Sequence, residues 1–250
     1  MAPEESPATA GSRWKVGCCG FPRARGAYFA AGFPVVEVQQ TFYRPPPPAT
    51  LRRWRQEAPP HFEFTLKAYQ AVTHPASSPT YRRAGLAPDP AVASRYGFFQ
   101  DTPEVAAGWE ATLAAAGALG ATTVVLQCPA SFTPTAEHAE ALRRFVARHR
   151  PPGLRLAWEP RGAWPAALVQ ALCQELDLVH CVDPFEAAPL WGTPRYFRLH
   201  GGPRYRHRYS DQEFQGLLAR WGGEEAYVLL NNSTGMWDDA LRLLGLLAVS

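Results

Sequence analysis

Eight short apolar segments separated by helical patterns constrain this 250-residue chain more than any other feature of the sequence. The segments are rich in β-branched and aromatic residues, and a turn signal follows each of them, as is typical of buried strands. Strands that alternate with helices pair in parallel, and eight such units are enough to close a barrel. The predicted strands are 14–21, 35–43, 62–68, 122–129, 155–161, 178–183, 195–201 and 226–232.

Helical periodicity occupies most of the intervals between these strands. Thr102 before Pro103 predicts an N-cap followed by proline at the first helical position, and Ser210 with Glu213 predicts a capping box. The fold class is therefore α/β, a closed (β/α)8 barrel of the TIM type in a single domain over residues 13–250. The predicted helices are 49–58, 103–119, 135–149, 164–176, 211–221 and 235–248.

Two segments fall outside the alternation. Residues 1–12 are rich in alanine, proline, serine and glutamate and lack an apolar run, so we predict a disordered tail and neither a signal peptide nor a membrane span. A cytoplasmic protein without a membrane partner is the expectation. Residues 71–102 form a long, proline-rich and aromatic insertion, which predicts a lid or an added pair of helices over the barrel mouth.

Charge and cysteine content narrow the function classes. The formal net charge is only +3, so nothing in the composition demands a polyanionic partner. The cysteines show no CxxC spacing, which predicts reduced and mostly buried thiols. Lysine occurs only at Lys15 and Lys67, all other basic side chains apart from histidine being arginine. The five cysteines are Cys18, Cys19, Cys128, Cys173 and Cys181.

Polar side chains recur at the last inward positions of the strands. Side chains alternate with period two, so Lys67 faces inward if Phe64 and Leu66 face the helices, and Arg198 and His200 face inward on the seventh strand. Active sites of such barrels lie at the carboxyl ends of the strands. The remaining predicted inward polar residues are Glu37, Gln39 and Thr41, Gln127, Glu159 and Arg161, and Asn231 or Asn232.

Buried charges at these positions need partners. An isolated charge costs several kcal/mol to bury, so Lys67, Arg161 and Arg198 must pair with Glu37, Glu159 or a ligand. The alternative to a functional site is an ionic network that satisfies itself and seals the top of the barrel.

Polar motifs also occur in a characteristic order along the chain. They are Gly17-Cys-Cys-Gly20, Glu37-Val-Gln-Gln-Thr-Phe-Tyr43, Phe62-Glu-Phe-Thr-Leu-Lys67 with Thr73-His74, Gln127-Cys-Pro-Ala-Ser-Phe132, Glu159-Pro-Arg161 with Trp164, Arg198-Leu-His-Gly201, Tyr209-Ser210 and Asn231-Asn232. The set resembles the YecE-like family, domain of unknown function 72, over nearly the whole chain. The resemblance implies a closed α/β barrel with no established biochemical role, and its matched positions add Tyr43, His74 and Tyr209 to the predicted substrate-binding residues.

The first functional hypothesis is an enzyme that acts on a small polar or anionic substrate such as a sugar phosphate. Glu159, His200 and Lys67 are the predicted catalytic residues. Arg161 and Arg198 would clamp the anion, and the glycine-containing loops after the seventh and eighth strands offer backbone donors. The full predicted binding set is Glu37, Tyr43, His74, Gln127, Arg161, Arg198, Tyr209, Asn231 and Asn232.

Other hypotheses remain open at this point. A divalent-metal isomerase or phosphodiesterase would use Glu37, His74, Glu159, Asp183 and His200, but the spacing matches no metal motif, and we predict neither a metal nor another cofactor. Residues 204–209 interleave basic and aromatic side chains, which suits a nucleotide or single-stranded nucleic acid bound without catalysis. A Schiff base on Lys67 is a further option, whereas a nucleophilic Cys18 or Cys19 lacks a visible base.

Overall fold

Eight parallel strands close into one barrel in chain order, as the sequence predicts. The computed structural model describes residues 13–233 and 235–249. Every strand pairs with its sequence neighbours, and β1 pairs with β8 to complete the circle. The strands are β1 Trp14–Cys19, β2 Val35–Val38, β3 Glu63–Lys67, β4 Thr123–Gln127, β5 Arg155–Glu159, β6 Val179–Val182, β7 Arg195–Leu199 and β8 Ala226–Leu230.

The helices surround this barrel, and the six predicted ones are all present. Thr102 accepts a hydrogen bond from the backbone of Val105, and Ser210 with Glu213 forms the expected capping box. Four further helices of the described residues are short. Arg25–Ala30 and Gln40–Tyr43 were not predicted, whereas Gln70–Thr73 and Pro79–Arg83 lie at and within the insertion for which a lid or an added pair of helices was predicted. The helices are α1 Arg25–Ala30, α2 Gln40–Tyr43, α3 Pro48–Glu57, α4 Gln70–Thr73, α5 Pro79–Arg83, α6 Pro103–Leu119, α7 Ala136–His149, α8 Ala166–Glu175, α9 Asp211–Trp221 and α10 Met236–Ala248.

The second strand is shorter than predicted. It ends at Val38, and the residues expected to continue it form α2. The hydroxyl of Thr41 donates to the carbonyls of Val38 at 3.0 Å and of Lys67 at 2.7 Å, which fixes the turn and ties it to the end of β3. Thr41 is therefore not in phase with Glu37 on a strand, and the prediction of residues 39–43 as strand was wrong.

The insertion at 71–102 is built from short helices rather than irregular chain. It contains most of α4, all of α5 and a 3-10 turn at Ala93–Arg95. The backbone N–H groups of Gly97 and Phe99 donate to the carbonyls of Ala71 and Val72, so the two ends of the insertion are held together. The predicted tail at 1–12 lies outside the described residues. Within residues 13–233 and 235–249, no helix has the length and apolar character needed to span a bilayer.

Side chains alternate between two apolar layers, as the period of two predicts. Phe64, Leu66 and Trp158 point outward and pack in the layer beneath the helices. A separate inner layer fills the middle of the barrel. Above it, at the carboxyl ends of the strands, the inward positions are polar, and this change from apolar to charged side chains defines the mouth. The inner apolar layer comprises Cys19, Val35, Val125, Ala157, Val179, Cys181, Tyr196, Tyr227 and Leu229.

Gly17 provides a test of barrel closure. A Cβ at this position would overlap the carbonyl oxygen of Val35 on the paired strand, so Gly17→Ala should destabilise the fold by about 3 kcal/mol. Gly245→Ala is the matched control, because it lies in α10 with no atom near the added Cβ and should stabilise by about 0.5–1 kcal/mol. Chemical denaturation measures both changes, and equal stability of the two variants would contradict this account.

Candidate active site at the barrel mouth

Arg198 lies at the centre of the mouth and is 1% exposed. Its guanidinium reaches from β7 to three other strands. One terminal nitrogen lies 3.0 Å from Glu37 on β2, and the other donates to Glu159 on β5 at 2.5 Å and to Gln127 on β4 at 3.2 Å. Two buried carboxylates therefore share one buried cation, with a second cation, Arg161, beside Glu159. This ion cluster, defined as Glu37, Glu159, Arg161 and Arg198, joins four of the predicted residues.

Glu159 connects the ion cluster to His200. Its Oε1 lies 2.9 Å from Arg161 Nη2 and 2.9 Å from His200 Nε2, while Oε2 receives Arg198. Burial alone would raise the pKa of Glu159, but the charges of Arg198 and Arg161 and the hydrogen bond from His200 hold it well below its ordinary value. Glu159 is therefore ionised at neutral pH.

The neighbours of His200 favour one tautomer of its ring. The amide nitrogen of Asn231 lies 2.9 Å from Nδ1 and can only donate, so a ring with Nδ1 as acceptor and Nε2–H directed to Glu159 satisfies both neighbours. Arg161 Nη2 lies 2.8 Å from Nε2 but can only donate, and it forms no hydrogen bond with the ring in that tautomer. The backbone N–H of His200 donates to Asp183 at 2.8 Å. Ring and backbone are thus both fixed, which is the arrangement expected of a histidine held for a defined chemical role.

Sequence reasoning missed Tyr196. Its hydroxyl lies 2.9 Å from Glu37 and 2.7 Å from the hydroxyl of Thr65 across the barrel. Tyr196 precedes Arg198 by two residues, so the period-two pattern that identified Arg198 and His200 would also have identified this tyrosine. Gln39 donates to Glu37 as well, and the carboxylate is therefore fully surrounded by donors.

Lys67 occupies the end of β3 and is 6% exposed. Its Nζ lies 3.5 Å from the centre of the Phe42 ring, which α2 holds in place through the Thr41 hydrogen bond to the Lys67 carbonyl. No hydrogen bond or ion pair of the ammonium occurs within the described residues. Burial lowers the pKa of Lys67 to about 7, with a further lowering by Arg198 that the charges of Glu159 and Glu37 oppose.

His74 and Tyr43 are two further residues that the sequence analysis assigned to substrate binding. His74 is buried against Phe42, its Nδ1 is 2.8 Å from the Thr73 hydroxyl, and burial lowers its pKa to about 3. Tyr43 is half-buried on α2, and its carbonyl accepts from Gln70. His74 is consequently neutral near pH 7.

Two other predicted residues bind the protein itself. Tyr209 accepts a hydrogen bond from the backbone of Gly201 at 2.7 Å and stacks on Phe185. Asn232 is fully buried and donates to Asp239 and to the carbonyl of His207. These contacts shape the loops after β7 and β8, and the structure does not bring either side chain to the ion cluster by a direct hydrogen bond.

A cavity of about 440 Å³ opens beside Glu159 and His200, between the ends of β5 and β6 and helix α8. Arg161, Asp183 and His180 also line it. The size suits a small metabolite, and two of the three predicted catalytic residues border it. The structure thus brings the predicted histidine, carboxylate and arginine to one cavity.

The same geometry does not suit a metal ion. Over the chain that the structure describes, no three His, Cys, Asp or Glu side chains are grouped as a metal site. Glu37 and Glu159 are already bound to Arg198, and this guanidinium occupies the space where a cation would need to sit. Cys18 and Cys19 do not offer a nucleophile, because burial raises the pKa of both thiols, that of Cys18 to about 12.

The fold defines the class of this protein: it is a TIM barrel, with eight parallel strands closed in chain order. A Salmonella typhimurium xylose isomerase domain-containing protein shares the fold, at 15% identity over 95% of this chain and 96% of that chain, with a TM-score of 0.60. The chain belongs to the family described as "Protein of unknown function DUF72", whose model matches residues 21–249. No curated protein matches the sequence.

Two solved members of the family support this assignment. A DUF72 protein from Enterococcus faecalis is 20% identical over 96% of this chain and 99% of its own, with a TM-score of 0.71. One from Thermotoga maritima is 22% identical over 94% of this chain and 98% of its own, with a TM-score of 0.65. The resemblance found in the sequence is thereby confirmed.

Removing the central cation should reveal its structural role. Arg198→Met leaves Glu37 and Glu159 buried without compensation, so the free energy of unfolding should fall by about 3–5 kcal/mol. Adding Glu37→Gln and Glu159→Gln to the same variant should restore part of that loss, because neither carboxylate is then a buried charge without a cation, while Arg161 loses its partner. Urea denaturation of the single and triple variants measures the difference, and a triple variant no more stable than the single one would contradict the argument.

Lys67 should make stability rise with pH. The unfolded lysine keeps its proton up to about pH 10.5, whereas folded Lys67 loses it near pH 7, so the unfolded state binds more protons between these values. The free energy of unfolding of the wild type relative to Lys67→Met should therefore rise by up to about 1.4 kcal/mol per pH unit from pH 7 to 9. Lys15→Met is the control, since the pKa of Lys15 is raised and predicts no such rise. Parallel pH curves for wild type and Lys67→Met would refute the shift.

Proposed function

We propose that the protein is an enzyme that carries out acid/base chemistry on a small polar anion, of the sugar phosphate kind, at the mouth of the barrel. One observation carries the proposal: a single oxygen of Glu159 holds both the guanidinium of Arg161 and the imidazole of His200 at the edge of the cavity. An anion-binding group and an imidazole that can accept or donate a proton are thus placed side by side.

Arg161 is the arginine suited to bind the substrate. Its side chain is 28% exposed and lines the cavity, so its guanidinium can meet a ligand oxygen. Arg198 is 1% exposed and its terminal nitrogens already bind two carboxylates. We therefore assign Arg198 to positioning Glu159, and Arg161 to holding the anion.

His200 is the group suited to move a proton. The ionised Glu159 holds Nε2–H and stabilises the imidazolium, as a carboxylate does for histidine in hydrolytic triads. A substrate hydroxyl that replaced the Asn231 amide at Nδ1 could then give its proton to the ring. Glu159 itself is a weak base because its pKa is held low. Glu159 therefore acts through His200 as a positioning residue. Lys67 is a further group at the mouth whose pKa, about 7, allows it to take part in proton transfer.

Ligand binding should depend on Arg161. Phosphorylated sugars such as ribose 5-phosphate should raise the melting temperature of the wild type, and Arg161→Ala should abolish that rise while the unphosphorylated sugar has no effect on either protein. Arg204→Ala is the matched control, an exposed arginine of the loop at 204–209. Stabilisation that persists in Arg161→Ala and disappears in Arg204→Ala would move the site to this loop and support the nucleotide-binding alternative.

Turnover should depend on His200. With a substrate found by that screen, His200→Asn and Glu159→Gln should each lower kcat on the order of a hundredfold, because proton transfer is lost or misdirected while the shape is kept. Added imidazole should partly rescue His200→Asn but not Arg161→Ala, which removes binding rather than the base. Unchanged kcat in His200→Asn, with the fold verified by circular dichroism, would remove this residue from the mechanism.

A further inference from the structure

We infer that Lys67 is a nucleophile that forms a Schiff base, and that the substrate therefore carries an aldehyde or ketone group together with its anionic group. The inference deepens the proposed function and rests on it for the anion site and the proton-transferring histidine. It starts from the way that Lys67 is buried, which differs from every other buried cation of the mouth.

Arg198 and Arg161 are each held by carboxylates, but Lys67 is not. Its amine reaches the mouth from the end of β3, is nearly inaccessible to solvent, and makes neither a hydrogen bond nor an ion pair within the part of the chain that the structure describes. A buried ammonium without a carboxylate is costly, so a purely structural role would favour an apolar side chain at this position. Its contact with the Phe42 ring occupies no lone pair of the neutral amine, and without an ion pair or hydrogen bond the amine is available for reaction.

The charges around Lys67 also favour its neutral form. Arg198 from β7 and Arg161 after β5 disfavour the ammonium, whereas Glu37 from β2 and Glu159 from β5 favour it but are each neutralised by an arginine. His74 lies on the insertion side and is uncharged near pH 7. Phe42 covers one side of the amine. A lysine desolvated among arginines is a nucleophile at neutral pH, in agreement with its lowered pKa.

The reaction balances without a cofactor. The lone pair of Nζ forms a bond to the carbonyl carbon, and the π electrons of the carbonyl move to oxygen, which takes one proton from the nitrogen and becomes a hydroxyl. A second proton, from a donor such as His200 or solvent, lets this hydroxyl leave as water while the nitrogen lone pair forms the C=N bond. The product is a protonated imine, which makes the hydrogen on the neighbouring carbon acidic and suits it to removal by a base.

The lysine content of this chain makes the test unusually direct. Lys15 is the only other lysine, and it lies at the opposite end of the barrel, paired with Glu63 and with a raised pKa. Treatment with glyceraldehyde 3-phosphate and sodium cyanoborohydride reduces any imine to a stable secondary amine, which peptide mass spectrometry locates. We expect Lys67 to be modified at least about tenfold faster than Lys15 at pH 7.5. The rate at Lys67 should reach half its maximum near pH 7.

Two variants and a neutral probe complete the design. Lys67→Arg keeps a cation at the position and should form no adduct there, while Lys15→Arg should leave the modification of Lys67 unchanged. Unphosphorylated glyceraldehyde should react more slowly at Lys67 than its phosphate does, and Arg161→Ala should remove that preference.

The outcomes separate the two proposals. Modification of Lys67 no faster than that of Lys15 in the folded wild type, with Arg161-dependent binding of sugar phosphates intact, overturns the Schiff base alone. Fast modification of Lys67 that is equal for glyceraldehyde and its phosphate and insensitive to Arg161→Ala supports the nucleophile and overturns the anion site.

Discussion

The burial of Arg198 between two carboxylates is the interaction on which the mouth depends. A guanidinium with 1% exposure survives only because Glu37 and Glu159 neutralise it, and those carboxylates survive only because it is present. The three side chains come from strands on different sides of the barrel, so the arrangement exists only when the barrel is closed. Correct assembly of the sheet and assembly of the site are therefore the same event.

Because of this interdependence, an ionic network whose charges neutralise one another can at the same time be part of a functional site. Arg198 forms ion pairs with the carboxylates in the interior. Glu159 in turn contacts Arg161 and His200, which border the cavity. Preorganised charges of this kind need not rearrange when charge develops on a substrate, which is how buried polar groups assist catalysis. Lys67 lies in the same layer but outside the ion pairing, and this exception is what distinguishes it chemically.

Much of this arrangement could be predicted because strand periodicity is a local property. The inward direction of Lys67, Arg198 and His200 followed from the apolar residues between them. The end of β2 could not be predicted in the same way, because Thr41 and its aromatic neighbours have strand propensity and turn only through a hydrogen bond to β3. Which charged side chains pair with each other across the barrel could not be predicted either, because the pairing depends on distances between strands that no local sequence pattern encodes.

The base of the barrel has an ion pair of its own, between Lys15 and Glu63, whose side chains are 47% and 22% exposed. Tyr227 donates a hydrogen bond to the same carboxylate. Dissolved ions reach this pair and screen it, whereas the pairs of Arg198 with Glu37 and Glu159 are almost fully buried and are screened much less. The two ends of one barrel thus differ in their response to ionic strength: rising salt weakens the attraction between Lys15 and Glu63 more than the attraction within the Arg198 pairs.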